Sequence, residues 1–292
     1  MSISTFNTLD EALIYTSATL LKTGRVVHPR GSETREILSW SFRLANPRAR
    51  EVSVVARHWN RAFAIGELCW HMAGSDSVNF ISYYSRNWNS FSDDGEHIRG
   101  SCYGRKIFSS RQGFMSAWDR IKTDLKDDVS SRRAVITFSD VEVGPTSDRK
   151  DIACITSLHF LIRDEQLHCI STMRSNDVMW GLCYDVFFVT MLQERLACEL
   201  DVSLGWYEHN AASMHVYARH YEMAERIACH EPFPSTPMRE MNRTDAIPLF
   251  LSTEKALREG ESSGIISAGS LPQYGREMAE PLVELHKRKW SL

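Results

Sequence analysis

Apolar positions open the chain at helical spacing. Across residues 8–23, Leu9, Leu13, Leu20 and Leu21 fall near one face, and Gly24 stops the run. His28-Pro29-Arg30-Gly31-Ser32 reads as a loop, and 38–44 as a strand. A second helix is predicted over 57–73, stopped by Gly74. Residues 88–104 are rich in Gly, Ser, Asp and aromatics, which suits a shaped surface over a site better than regular core. A helix over 114–125 follows, then a polar turn at 127–131. Three strand-like runs occupy 133–138, 152–162 and 166–173, and Arg163-Asp164-Glu165 is short enough to join the last two as a hairpin. Residues 184–200 form an apolar helix long enough to be central to the fold. Residues 206–217 read as strand then loop, and 216–229 as largely helical, ended by Glu231-Pro232-Phe233-Pro234.

The tail patterns differently. Residues 260–269 have the Gly and Ser content of a flexible link. Beyond it Leu271, Tyr274, Met278, Leu282 and Leu285 recur at helical spacing, predicting a terminal amphipathic helix. The expected organisation is a main domain over 1–240 and an extension over 241–292. Helices mixed with antiparallel strands, and no internal repeat, give the α+β class.

Composition adds limits. The 292 residues are 43% hydrophobic and 24% charged, enough for one large domain or two small ones. A formal charge of -3 gives no global basic field, so a nucleic acid polymer is not expected, though a local arginine cluster could take a small anion. No apolar stretch has the length of a membrane span, and the first residues lack the basic and apolar regions of a signal peptide. Seven scattered cysteines without CxxC spacing argue against a disulfide framework or a metal site. The expectation is a cytoplasmic protein in which one thiol is free to do chemistry.

The chemistry-bearing residues concentrate between 152 and 217. Cys154 is followed by Arg174-Ser175-Asn176-Asp177, then Gly181-Leu182-Cys183-Tyr184-Asp185, then His215-Val216-Tyr217. A thiol, a phosphate-binding arginine, a carboxylate and a His/Tyr pair together suit a nucleotide-modifying site. Each has a plainer reading. Cysteines between apolar neighbours are usually inert core. Arg132 and Arg133 suit a solvated turn, His215 a satisfied structural histidine, Trp88 a core aromatic, and Asp185 the cap of the helix after it. Glu67 is harder to dismiss, because a carboxylate inside an apolar helix is costly to bury unpaired.

Taken in order, these segments resemble thymidylate synthases over roughly residues 8–240. Ile152-Ala153-Cys154, a hairpin, and Arg174-Ser175-Asn176-Asp177-Val178-Met179-Trp180-Gly181-Leu182 resemble that family's PCH, hairpin and RSxDxxLGxPFN. Arg30-Gly31-Ser32 resembles its phosphate loop, and the segment from Gly66 to Gly74 its HELLWFLxG helix. Trp88 with Gly100-Ser101-Cys102-Tyr103-Gly104 resembles its W…GPVYG, Ser131-Arg132-Arg133 its SRR, and His215-Val216-Tyr217 its HLY. Seven ordered blocks are far more specific than any one of them.

The resemblance implies an α+β fold with a curved mixed sheet flanked by helices, and a homodimer. It implies Cys154 as the nucleophile at pyrimidine C6 and Glu67 as a proton relay. Arg30, Arg174 and Ser175 would hold the phosphate of a pyrimidine nucleoside monophosphate, with Arg132 and Arg133 reaching across from the partner subunit. His215 and Tyr217 would hold the sugar. Trp88, Tyr103 and Asp177 would line the pocket for base and folate, the one-carbon donor being 5,10-methylenetetrahydrofolate.

Asp185 stands where thymidylate synthases carry asparagine. An amide pairs with uracil N3–H and O4, whereas a carboxyl suits the amino group and bare N3 of cytosine. Asp185 therefore resembles the cytidylate hydroxymethylases of the superfamily and implies 5-hydroxymethylation of dCMP or CMP, with water adding in place of hydride. Ordinary pyrimidine methylation and non-catalytic nucleotide binding are the alternatives. Ala153 and Ile155 replace the family's proline and histidine beside the cysteine, and Ala211-Ala212-Ser213-Met214 its GGDT. Phe91 stands at its second tryptophan, and the Gly/Ser stretch and terminal helix stand where its folate-closing segment lies.

Overall fold

The computed structural model describes residues 3–110, 113–138, 149–231, 236–242 and 247–290, and the chain divides into two compact units. The first comprises Met1–Trp59, Ile121–Phe138 and Cys154–Met238. It is built on a mixed eight-stranded sheet: β1 (Ser4–Phe6), β2 (Arg25–Val27), β3 (Thr34–Leu44), β4 (Val135–Thr137), β5 (Ile155–Arg163), β6 (Gln166–Met173), β7 (Asn176–Asp177) and β8 (Ser203–Tyr217). The main order is β1-β3-β8-β6-β5-β4, with β2 paired to β3 and β7 to β8.

Local chemistry explains the pairing. β5 and β6 form the expected hairpin, with Arg163 opposite Gln166. Asp164 and Glu165 both take positive φ, as a two-residue turn matching strand twist demands. β8 is antiparallel to β3 and parallel to β6, and it buries Tyr207, His209 and Ala211 at period two. Among the helices, α1 (Leu9–Thr23) starts where the Thr8 side chain accepts from Glu11 N–H, and it buries Leu9, Leu13 and Leu20.

The second unit comprises Asn60–Arg120, Ser139–Ala153 and Arg239–Leu292. It contains α2 (Arg61–Met72), α3 (Val78–Tyr84), α4 (Tyr103–Phe108) and the first residues of α5 (Ala117–Asp127), whose later turns belong to the first unit. The first unit also holds α6 (Leu182–Leu200) and α7 (Tyr221–Ala228); α8 (Ile247–Arg258), α9 (Ser263–Ser270) and α10 (Gln273–Trp290) complete the second. From Ala62 to Met72, α2 is buried on nearly every side. Gly104 is bare because a Cβ there would lie 1.8 Å from the carbonyl oxygen of His71. Buried Glu254 ties α8 in place, taking hydrogen bonds from Tyr84 Oη at 2.6 Å and Arg258 Nε at 2.8 Å. No helix among the described residues is long and apolar enough to cross a membrane.

Several boundaries differ from the sequence expectation. The second helix begins at Arg61, because Val55–Arg57 is a separate 3-10 turn closed by His58 at φ 50. Cys154 lies just before β5 and not on it. β8 continues as strand to Tyr217, so His215 and Tyr217 are strand residues. Helical structure before Cys229 starts at the 3-10 turn Ala218–His220, later than expected. Pro232 and the two residues after it lie outside the described residues. The stretch expected to be a flexible link contains α9, with Gly264 and Ala268 buried. Small residues let α9 approach α8 closely: a Cβ at Gly264 would come 2.8 Å from the backbone nitrogen of Leu257.

Candidate active site

Four consecutive residues, Arg174 to Asp177, organise the site of the first unit. The backbone N–H of Arg174 donates to the carbonyl of Cys154 at 2.9 Å, and Arg174 Nη2 stands 3.6 Å from Cys154 Sγ. Cys154 is half-buried, whereas Cys69, Cys102, Cys169 and Cys183 are buried. Burial pushes the Cys69, Cys169 and Cys183 thiols up, away from reactivity. Cys154 thus joins access to an adjacent cation, the partner a thiolate nucleophile needs.

Ser175 Oγ lies 3.5 Å from His215 Nδ1. Next, β7 pairs parallel to β8 and sets Asp177 beside His215. Burial raises the Asp177 pKa against the opposing pull of His215, and burial lowers that of His215 against the pull of Asp177. Asp177 Oδ1 also accepts from Met179 N–H at 2.8 Å, which shapes the turn into α6. The His215 and Tyr217 rings meet edge to face at 5.2 Å, with the Arg219 guanidinium 4.3 Å from the centroid of Tyr217.

Asn176 reaches Asp185. Its Nδ2 donates to Asp185 Oδ2 at 2.7 Å. Burial pushes the Asp185 carboxyl up to about 7, with the Asn176 amide opposing the rise. Asp185 does not cap its helix: α6 begins at Leu182, Gly181 is the cap residue, and Asp185 falls later in the first turn. The helix-cap alternative is therefore set aside. Gly181 makes the turn possible, since a Cβ there would lie 2.8 Å from Asn176 Nδ2 and 2.9 Å from Asp185 Oδ2.

The other sequence-nominated residues are placed less directly. Arg30 stands exposed at φ 50 in the turn Pro29–Gly31. Arg132 and Arg133 are exposed just before β4. In the second unit, Glu67 is 9% exposed on α2, Trp88 is half-buried beside Trp70 and Phe91, and Tyr103 is buried against the ring of His71. Their roles rest on the sequence pattern.

Two features escaped the sequence reading. One is Asn176, visible only as an amide inside a longer string. The other is a buried polar chain in which the Tyr207 hydroxyl lies 2.7 Å from Ser171 Oγ and 2.8 Å from His209 Nδ1. Burial holds His209 near 3, so it is neutral, and raises Tyr207, which also feels the Asp185 charge. The alternation of the strand expected from Trp206 onward already puts Tyr207 and His209 on one face, and both are fully buried.

A mixed sheet with a half-open thiol, an arginine beside it and an enclosed carboxyl makes a site suited to nucleophilic chemistry on an anionic ligand. The chain belongs to the thymidylate synthase family, whose pattern matches residues 16–257. It is 31% identical over 222 residues to a deoxyuridylate hydroxymethyltransferase of Bacillus phage SP01, covering 70% of this chain and 56% of that protein. It is 27% identical over 265 residues to another of that description from Pseudomonas phage M6, covering 86% of this chain and 70% of the relative. The deoxycytidylate 5-hydroxymethyltransferase of Enterobacteria phage T4 is 24% identical over 237 residues, 76% of this chain and 92% of its own length. The chain thus spans little more than half of the SP01 relative.

Proposed function

We propose that this protein is a cytidylate 5-hydroxymethyltransferase, carrying a one-carbon unit to C5 of dCMP or CMP. The observation that carries the choice of base is the enclosed Asp185 carboxyl, raised to about 7 by burial. In its neutral form, with the O–H turned to N3 and the carbonyl oxygen to the amino group, it matches cytosine. Hydroxymethylation, as against methylation, draws on the names of the phage relatives.

Cys154 as thiolate adds to C6, which makes C5 nucleophilic. C5 bonds to the one-carbon unit and loses its proton; the bond from that carbon to the donor nitrogen breaks, tetrahydrofolate leaves, and water adds to the resulting exocyclic methylene as Cys154 is eliminated. Methylenetetrahydrofolate supplies that unit in this family, and the half-open Trp88 ring with exposed Phe91 suits a planar donor. Arg174, Arg30 and Ser175 hold the phosphate, His215 and Tyr217 the sugar, and Asp177 the edge of the pocket. Glu67 is the proton relay. A homodimer, implied by the family pattern, lets Arg132 and Arg133 cross to the partner.

A second reading takes dUMP as substrate, favoured by the names of the SP01 and M6 relatives. Mass spectrometry of the products formed from an equal mixture of CMP, dCMP, UMP and dUMP with methylenetetrahydrofolate decides between them. A hydroxymethyl group on cytidylate is expected. A product on uridylate alone overturns the choice of base, and a methyl product overturns the choice of reaction.

A further inference from the structure

A carboxyl group does not choose a pyrimidine by itself. A neutral carboxyl has one acceptor oxygen and one O–H donor, while cytosine and uracil show opposite donor and acceptor orders at N3 and C4. With the proton on one oxygen it matches cytosine; with the proton on the other it matches uracil. Selection requires something that tells the two oxygens apart.

Asn176 is placed to do this. The residue is 2% exposed and anchored on β7 opposite Met214 of β8. Its amide N–H donates to Asp185 Oδ2 at 2.7 Å, the one donor described for that carboxyl among the described residues. Bare Gly181 packs against both bonded atoms. An oxygen that already accepts a fixed N–H is the poorer place for a proton, which therefore goes to Oδ1. The other titratable groups facing the carboxyl are Tyr207 from β8 and Cys183 from α6, and burial raises both, keeping them neutral near pH 7. Neither breaks the symmetry of the two oxygens by a hydrogen bond.

We propose that Asn176 is a specificity-determining positioning residue: its amide assigns Oδ2 of Asp185 the acceptor role and Oδ1 the proton, and so fixes which pyrimidine edge the carboxyl matches. This rests on Asp185 reading the base, as in the function proposed above, but not on which base it reads. Gly181 belongs to the same device, because a side chain there would press on the amide and the carboxyl together.

The test compares the native enzyme with Asn176→Ala and the near-isosteric Asn176→Leu, neither of which can donate to Asp185. Specificity constants for dCMP and dUMP are measured from pH 6 to 9, with thermal melting to establish that each variant is folded. Where turnover is too slow, competitive binding of the two nucleotides gives the same ratio. Loss of the amide donor is expected to move the dCMP/dUMP ratio toward one by about tenfold or more in both variants. It is also expected to shift the alkaline limb of kcat/KM to higher pH, because the N–H that favoured the ionised carboxyl is gone. A residue that merely supports the fold would depress both substrates alike; an unmoved ratio and limb in folded variants overturns the proposal. A native preference for dUMP would overturn the cytidylate reading instead and leave the role of Asn176 standing.

Discussion

The guanidinium of Arg174 stands 3.6 Å from the sulfur of Cys154, while the backbone N–H of Arg174 holds the carbonyl of the same cysteine. One residue thus fixes the position of the nucleophile and supplies its counter-charge. Cys154→Ser is expected to abolish product formation, a loss of about 10³-fold or more, while leaving nucleotide binding measurable. Arg174→Lys keeps the charge but loses the planar fork, so both phosphate binding and turnover should fall, by about tenfold or more in kcat/KM. Steady-state kinetics with equilibrium binding of the nucleotide checks both; full activity in the serine variant removes Cys154 from the mechanism.

Asp185→Asn should redirect the enzyme. The amide can accept from N3–H and donate to O4, so the variant is expected to gain activity on dUMP and to lose that on dCMP by about a hundredfold. Reading uracil places the new amide nitrogen where Oδ2 now accepts from Asn176 at 2.7 Å, so the Asn176 amide must rotate to present its own oxygen there. Competition between the two nucleotides in one tube, read by mass spectrometry, gives the ratio directly. An unchanged ratio would show that base choice lies elsewhere.

The raised Asp185 pKa also sets a pH dependence. Cytidylate needs the protonated carboxyl, so kcat/KM for dCMP should fall with rising pH along an alkaline limb at about 7. The limb should be missing for Asp185→Asn with dUMP. Stability follows the same sign. The folded pKa exceeds that of an unfolded aspartate, so the folded state holds the proton more tightly, and the associated stability is present at low pH and lost as pH rises toward 7. Melting curves between pH 4 and 8 should show the wild type losing ground to Asp185→Asn as pH increases; parallel curves would contradict an enclosed carboxyl.

Arg258→Ala probes the second unit. Glu254 is 2% exposed and loses its cationic partner in that variant, leaving Tyr84 alone to satisfy it. Removing one member of a buried pair costs about 3–5 kcal/mol, and chemical denaturation should report a loss of that order. Arg258 also packs over Phe80 at 3.8 Å, so Arg258→Met, which restores apolar contact but not charge, should recover only part of it. An undisturbed denaturation midpoint in Arg258→Ala would mean the pair within α8 contributes nothing to stability.

Much of the fold was legible because the signals were local. Thr8 and Gly24 bracket α1, and the Asp164-Glu165 turn fits the hairpin spacing between β5 and β6. Where expectations missed, partners remote in sequence had the deciding influence. Small and polar residues at 211–213 interrupt the apolar alternation of β8 and imitate the start of a loop. The strand continues because β3 pairs along one edge while β6 and then β7 pair along the other. In α9, Gly and Ser lower intrinsic helix propensity, yet the same small side chains permit close packing on α8, and burial prevails.

The sequence by itself determined the family, the α+β class, the thiol, the arginine beside it and the carboxyl in place of an amide, because those are identities at fixed spacings. Only the tertiary structure decided what Asp185 is. The turn between β7 and α6 brings residues nine apart into hydrogen-bond contact, and enclosure raises the carboxyl to about 7. Protonation and hydrogen-bond partnership depend on surroundings supplied by the folded chain, and the order of residues alone does not specify them.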